Sequence, residues 1–279
     1  MRISILALLF CTLVLTSCQR SADGNKAVSL FNGKDLEGWD TYLAPLYDTV
    51  RHKRDSIPLG LNNDTLEVFS VVTLDEQPAL RISGECFGGI STQQEYDNYH
   101  LTLEFKWGNA KWPPRQDRKR DSGICYHAVG PHGVDAKSWM RSQEFQIQEG
   151  DCGDYWGVAG GVFDVPARQD SNKYIYDPKG TLLTFKDKGP QGRQCIKDPD
   201  NEKPTGEWNT VEIYCHGDTS VHVVNGVVCM VLYHSRQQDD GKESPLTKGK
   251  LQLQSEGAEV FYRNMMLEPI DRIPQKILE

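Results

Sequence analysis

The sequence has no excess of positive charge: 31 Lys and Arg stand against 39 Asp and Glu, a net charge of −8. Nothing in it would displace the counterions of a phosphate backbone, so nucleic acid is not expected as a partner. No two cysteines form a CxxC pair, and the spacing of zinc ribbons and knuckles is therefore missing. After the first residues there is no apolar run long enough to cross a bilayer. Helical periodicity and internal repeats are both scarce. What remains after these exclusions is a β-rich chain with an unusual beginning.

That beginning is Met1-Arg2, an uncharged apolar run over 3–15, and Leu15-Thr16-Ser17-Cys18. The run is shorter than the ~20 residues of a spanning helix and is placed like a secretory h-region. Its Leu-x-Ser-Cys ending resembles the bacterial lipobox. Residues 1–17 are thus expected to be a signal peptide, with Cys18 as the lipidation site. Polar, small residues over 18–27 suit a flexible tether. The expected product is an exported lipoprotein of the bacterial cell envelope that touches the membrane through its lipid anchor only. The six cysteines beyond the signal and Cys18, namely Cys86, Cys125, Cys152, Cys195, Cys215 and Cys229, are free to form disulfides after export. Cys152–Cys195 is the first pair to consider, whereas Cys125, Cys215 and Cys229 fall in strand-like runs and read as buried thiols.

Residues 28–279 read as a single domain. The segment 99–107 alternates strictly, with Tyr99, Leu101, Leu103, Phe105 and Trp107 on one face and His100, Thr102, Glu104 and Lys106 on the other. That is the period of a half-buried strand. Similar runs occur at 79–83, 86–92, 122–128, 143–149, 208–215, 219–224, 227–233, 250–255 and 258–268, and Asn225-Gly226 is a hairpin signal. Two stretches, 108–121 and 164–206, read as long loops. Many short strands with turn punctuation predict an all-β fold, an antiparallel β-sandwich of the jelly-roll kind.

Within that pattern one strand carries chemistry. In Ser142-Gln-Glu-Phe-Gln-Ile-Gln-Glu-Gly150, Phe145 and Ile147 face one way and Glu144, Gln146 and Gln148 the other. Amides both donate and accept hydrogen bonds, which suits a hydroxyl-rich ligand. A solvated outer face is the plainer reading. Glu149 would reach the polar face only through a β-bulge. The neighbouring run 121–127 places Asp121 beside this strand and turns His127 toward the same face, and 251–256 contributes Gln252, Gln254 and Glu256. Glu104 and Lys106 present charge in the same manner. Trp112, Trp139 and Trp156 lie at strand ends or in loops, where a flat ring either stacks on a sugar or closes the sandwich. Arg115, Arg118, Lys119 and Arg120 form a basic cluster just before Asp121.

The same residues carry a family resemblance. LFNGKDLEGW at 30–39 resembles the opening signature of the 3-keto-disaccharide hydrolase family, long known only as a domain of unknown function. Asp121-Ser-Gly-Ile124 and Glu144-Phe-Gln-Ile147 resemble its central strands. Glu207-Trp-Asn209, Asn225-Gly226, Leu253-Gln-Ser-Glu-Gly257 and Phe261-Tyr-Arg-Asn264 resemble its C-terminal half, in order. The resemblance implies a concanavalin A-like jelly roll, a site on one sheet face and carbohydrate as the ligand. Laminarinase-type glycosidases of this fold carry E-x-D-x-(x)-E on the matching strand. Here the segment is Glu144-x-Gln146-x-x-Glu149, so the central acid is an amide.

Family members are linked to sugars already oxidised at C3, and a C3 ketone acidifies the C2 proton. The expected reaction is therefore elimination of the C1 substituent followed by hydration. It needs a base, an acid for the leaving oxygen and an enolate stabiliser, but not the paired carboxylates of direct glycoside hydrolysis. The sequence offers Glu144 or His127 as base, with Glu149 a further catalytic candidate. Gln146, Gln148, Asp121, Gln254, Glu256 and the three tryptophans are the candidates for sugar contacts. Arg120 or a divalent metal would hold the enolate. His127, Glu144 and Asp121 are the available metal ligands, although their spacing does not require a metal. A non-catalytic carbohydrate-binding protein and a conventional endo-glucanase are the alternatives.

Overall fold

The computed structural model describes residues 26–278; the signal segment and Cys18 lie outside the described residues. The alternating segment forms the strand Tyr99–Lys111, whose Tyr99, Leu101, Leu103 and Phe105 are buried while His100, Thr102, Glu104 and Lys106 are partly exposed. The buried face meets Ile124, Tyr126, Phe145 and Ile147 from another sheet, and these side chains belong to one continuous hydrophobic cluster. Two antiparallel sheets with one apolar face each can satisfy both only by stacking, which gives the sandwich.

One sheet has twelve strands. Its main path runs Lys173–Tyr176, Gly161–Asp170, Val227–Asp239, Thr219–Val224, Asn209–His216, Tyr99–Lys111, Ala258–Pro269, Gln77–Ile82 and Phe69–Leu74. The second sheet has eight, in the order Gln194–Cys195, Tyr155–Val158, Arg141–Gln148, Asp121–Val129, Lys250–Ser255, Gly88–Thr92, Trp39–Leu43 and Gly60–Leu61. The fold is an all-β sandwich, as the alternation predicts. A short helix, Gln275–Leu278, follows the last strand. Among the described residues no helix is long and apolar enough to cross a membrane.

Three local expectations are corrected. The stretch 164–206 is not one loop: Gly161–Asp170 pairs with both Lys173–Tyr176 and Thr181–Phe185, and Cys195 pairs with Tyr155. Glu104 and Lys106 belong to the twelve-stranded sheet, where they pair with Arg263 and Asp75, away from the other polar row. No Cys152–Cys195 disulfide forms; all six cysteines described are buried free thiols.

Candidate active site

The strand Arg141–Gln148 lies between Asp121–Val129 and Tyr155–Val158. Its inward residues Phe145 and Ile147 are fully buried in the core. Glu144, Gln146 and Gln148 therefore point out of the opposite face, where they line a cavity of about 190 Å³. Asp121, Gln254 and Glu256 from the neighbouring strands line it too, with Trp139, Trp156, Arg115, Asp135 and Arg193. The register explains the convergence: Gly123 stands opposite Gln146, Asp121 opposite Gln148, and Cys125 is flanked by Glu144 on one side and Gln252 on the other.

Gly123 makes the hollow. A Cβ there would lie 2.3 Å from Glu144 Oε1 and 2.6 Å from Gln254 Oε1. Gly123→Ala is expected to fold but to force both side chains aside, and a misplacement of this size costs activity about 10²-fold. Steady-state kinetics on a 3-keto-glucoside beside a thermal melt would check it; full turnover would show that the hollow is not where the sugar reacts.

Arg115 spans the floor. Its guanidinium bonds Asp121 and, at 3.0 Å, Glu256. The turn that delivers it is fixed by the Arg115 amide donating to the Trp112 carbonyl and by the Trp112 indole donating to Ser83. Gly257 (φ +83°) permits the approach, because a Cβ there would meet Arg115 Cβ at 3.0 Å. Gln148 donates to Asp121 at 2.5 Å.

Burial pushes the Glu144 carboxyl up to about 8, and the nearby Asp121 charge adds to the effect. Burial likewise raises Asp121 and, more strongly, Glu256, against the opposing pull of Arg115. One guanidinium shared by two buried carboxyls balances only one negative charge, so the pair retains a proton near neutrality. Among the residues that line the cavity, Arg115 Nε, Asp121 Oδ1, Gln146 Oε1 and Gln254 Oε1 are buried without a protein partner. Buried polar groups are nearly always paired.

Several sequence candidates sit elsewhere. His127 does not face Glu144. The strand bulges between Tyr126 and Val129, and His127 takes a left-handed φ of +51°. Its ring turns into the sandwich, 5.4 Å from Tyr126 and 5.9 Å from Tyr99. Burial there holds the imidazole down to about 4. His127 is thus neither the base nor a metal ligand with Glu144 and Asp121, and among the described residues no group of three His, Cys, Asp or Glu is spaced to hold a metal. Glu149 lies past the strand end. It accepts hydrogen bonds from Thr205 and Arg120, which hold its carboxyl below the usual range although partial burial opposes them. Arg120 is committed to Glu149 and the Gly108 carbonyl, both at 3.1 Å. Trp112 serves the Arg115 turn and not the cavity wall.

Arg115 and not Arg120 lines the cavity, while Asp135 and Arg193, an ion pair at 3.2 Å, carry no signal in the sequence that marks them as site residues. Trp139 and Trp156 do line the cavity. Trp139 is anchored by its indole N–H on the Gly88 carbonyl at 3.0 Å.

No curated protein matches the chain. Solved structures that superpose on it include two from Parabacteroides distasonis ATCC 8503, both provisionally described as glycosyl hydrolases. The first is 19% identical with a TM-score of 0.47, covering 88% of this chain and 94% of that one. The second is 20% identical with a TM-score of 0.47, covering 88% and 100%. A carbohydrate binding module, CBM66 from Bacillus subtilis, is 8% identical with a TM-score of 0.42 and coverages of 72% and 91%. Identities this low transfer no activity. The sequence model of the 3-keto-alpha-glucoside-1,2-lyase-like domain, in contrast, matches residues 26–268, and the chain belongs to that family.

Proposed function

We propose that this carbohydrate-active domain cleaves 3-keto-glycosides by elimination across C1–C2, followed by hydration. The observation that carries the reading is the hollow over Gly123. There a carboxyl raised to about 8 stands beside an arginine-bridged carboxyl pair and four unpartnered polar atoms. Glu144, once ionised, removes the C2 proton; the electrons move onto the C3 oxygen as an enolate. The Arg115 guanidinium is the donor for that oxygen. As the enolate collapses, C1=C2 forms and the C1–O bond breaks. The proton retained by the Asp121–Glu256 pair passes to the departing oxygen. Water then adds at C1 and a proton returns to C2. Gln146 and Gln254 hold the remaining hydroxyls. A base tuned close to working pH is what such a proton transfer needs.

A conventional endo-glucanase fits less well. Of the two glutamates of its motif, Glu144 lines the hollow but Glu149 lies past the strand end, bonded to Arg120 and Thr205, and the hollow is smaller than the ~300–1,000 Å³ of ordinary ligand clefts. The hollow itself suits one ring. Against a purely binding protein, a carboxyl raised to about 8 in the hollow is what a proton transfer near neutrality uses. Parallel incubation with a 3-keto-glucoside and its parent glucoside, each with and without chelator, separates the readings. Turnover of the keto compound alone supports elimination. Turnover of the parent, or binding of both without turnover, overturns it.

The proposal places the enzyme in the bacterial envelope, tethered through Cys18. Metabolic labelling with palmitate is expected to mark the protein, and Cys18→Ser is expected to abolish the label. A labelled Cys18→Ser variant would rule the anchor out.

A further inference from the structure

Two neighbouring cavities share residues. The hollow over Gly123 and a second cavity of about 250 Å³ are both lined by Trp156 and Arg193. The connection follows the strand register. Glu144 stands opposite Trp156, and Trp156 opposite Gln194, so the three form one row across three strands. Adjacent strands are ~4.8 Å apart, and the second cavity therefore begins one residue beyond the proposed base. In the direction of Trp139 the hollow is backed by packed aromatics: Arg54 lies 3.7 Å above the Phe87 ring, which is 6.1 Å from Trp139.

The walls of the second cavity suit a particular occupant. Trp156 and Tyr174 line it with the amides of Asn172 and Gln191 and the exposed Lys173; Gln194 lines it too but donates to Asp154 at 3.0 Å, and Arg193 lies 5.4 Å over the Trp156 ring. Aromatic faces take up a flat ring and amides bond its hydroxyls in either direction. Arg193 is not an open anion receptor, because Asp135 and Asp187 lie 3.2 and 3.8 Å from its guanidinium. The Arg193 carbonyl accepts the Gly157 amide at 2.9 Å, which fastens the segment 186–193 to the edge of the sheet.

We propose that this cavity is the leaving-group subsite and that it selects a hydroxyl-bearing ring, with Trp156 as the platform between base and leaving group. The inference rests on the elimination reading. A pyranose and a phenol share the required chemistry, so both serve as probes.

The test uses methyl, 4-hydroxyphenyl and glucosyl 3-keto-glucosides with wild type, Trp156→Ala, Tyr174→Ala and Asn172→Ala. The readout is the ratio of kcat/KM for each ring-bearing substrate to that for the methyl substrate. Wild type is expected to favour at least one ring. The ratio is expected to fall about tenfold in Trp156→Ala and Tyr174→Ala, the scale of one lost stacking contact. Asn172 is exposed, so its variant keeps the test open if Tyr174→Ala does not fold. A smaller fall there supports the assignment. Ratios unchanged in every folded variant, or a wild type indifferent to the leaving group, overturn the subsite and leave the elimination reading standing. A wild type that turns over none of the three overturns both.

Discussion

Glu144→Gln is expected to lose turnover of 3-keto-glucosides by about 10²–10⁴-fold, the usual worth of a positioned base, and to gain stability at pH 8. The two effects have one cause. An unfolded chain ionises Glu144 near the ordinary glutamate value, whereas the folded chain holds its proton up to about 8. Between those limits the folded state binds the extra proton, so stability falls as pH rises; above about 8 the penalty is constant. Below the ordinary glutamate value both states are protonated and nothing is lost. Glutamine carries no such penalty. Its advantage in thermal melts is therefore greatest at pH 8 and fades by pH 4, at roughly 2–4 °C per kcal/mol for a domain of this size. In the wild type, kcat/KM should rise with pH toward about 8 as the base ionises. A Glu144→Gln protein with full turnover, or one destabilised at pH 8, would contradict the assignment.

Arg115→Met is expected to be damaging in both respects. The guanidinium bridges Asp121 and Glu256 with only 18% of its side chain exposed. Breaking a buried ion pair from one side costs about 3–5 kcal/mol, and losing a preorganised donor to an enolate about 10²–10³-fold in kcat. The sign of the pH effect is opposite to that for a direct carboxylate loss. Without Arg115 the two acids hold their protons to still higher pH, so the destabilisation is largest in alkali and shrinks in acid, where neither carboxyl is charged. Arg115→Lys keeps the charge but not the fork that reaches two acids, and intermediate values are expected. Kinetics and urea melts at pH 5 and 8 check both variants. If Arg115→Met melts like wild type at pH 8, the bridge does not stabilise the floor.

The contrast between Arg115 and Arg120 illustrates what a sequence can reveal. Period-2 alternation located the row Glu144, Gln146 and Gln148 and its partners Gln254 and Glu256, because in a regular strand side is fixed by parity. Parity does not say which sheet a strand joins. Glu104 and Lys106 alternate equally well, yet pair with Arg263 and Asp75 on the other sheet. Nor does it survive a bulge: the left-handed turn at His127 reverses one side chain and removes it from the site. Inside the loop 108–121 there is no period at all. Which arginine dips to the floor depends on the turn tied at Trp112 and on the space left by Gly257. Asp135 and Arg193 come from segments far apart in the chain and meet only through the fold.

The same geometry explains why the proposed chemistry suits this floor. Direct glycoside hydrolysis needs one carboxylate ionised and its partner protonated on opposite sides of the bond. Here the matching second acid, Glu149, is turned to Arg120 and Thr205, and the acids of the hollow cluster around Arg115 instead. A single base, a donor to the enolate and a proton reserve are what elimination requires.

The central claim, that Glu144 removes a proton from C2, is tested most directly by running the reaction in deuterium oxide and examining the released 3-keto-sugar by NMR at early times. Elimination and hydration put solvent deuterium at C2, in excess of a no-enzyme control and not in Glu144→Gln. A product that keeps its original C2 hydrogen while the glycosidic bond is cleaved would contradict the account.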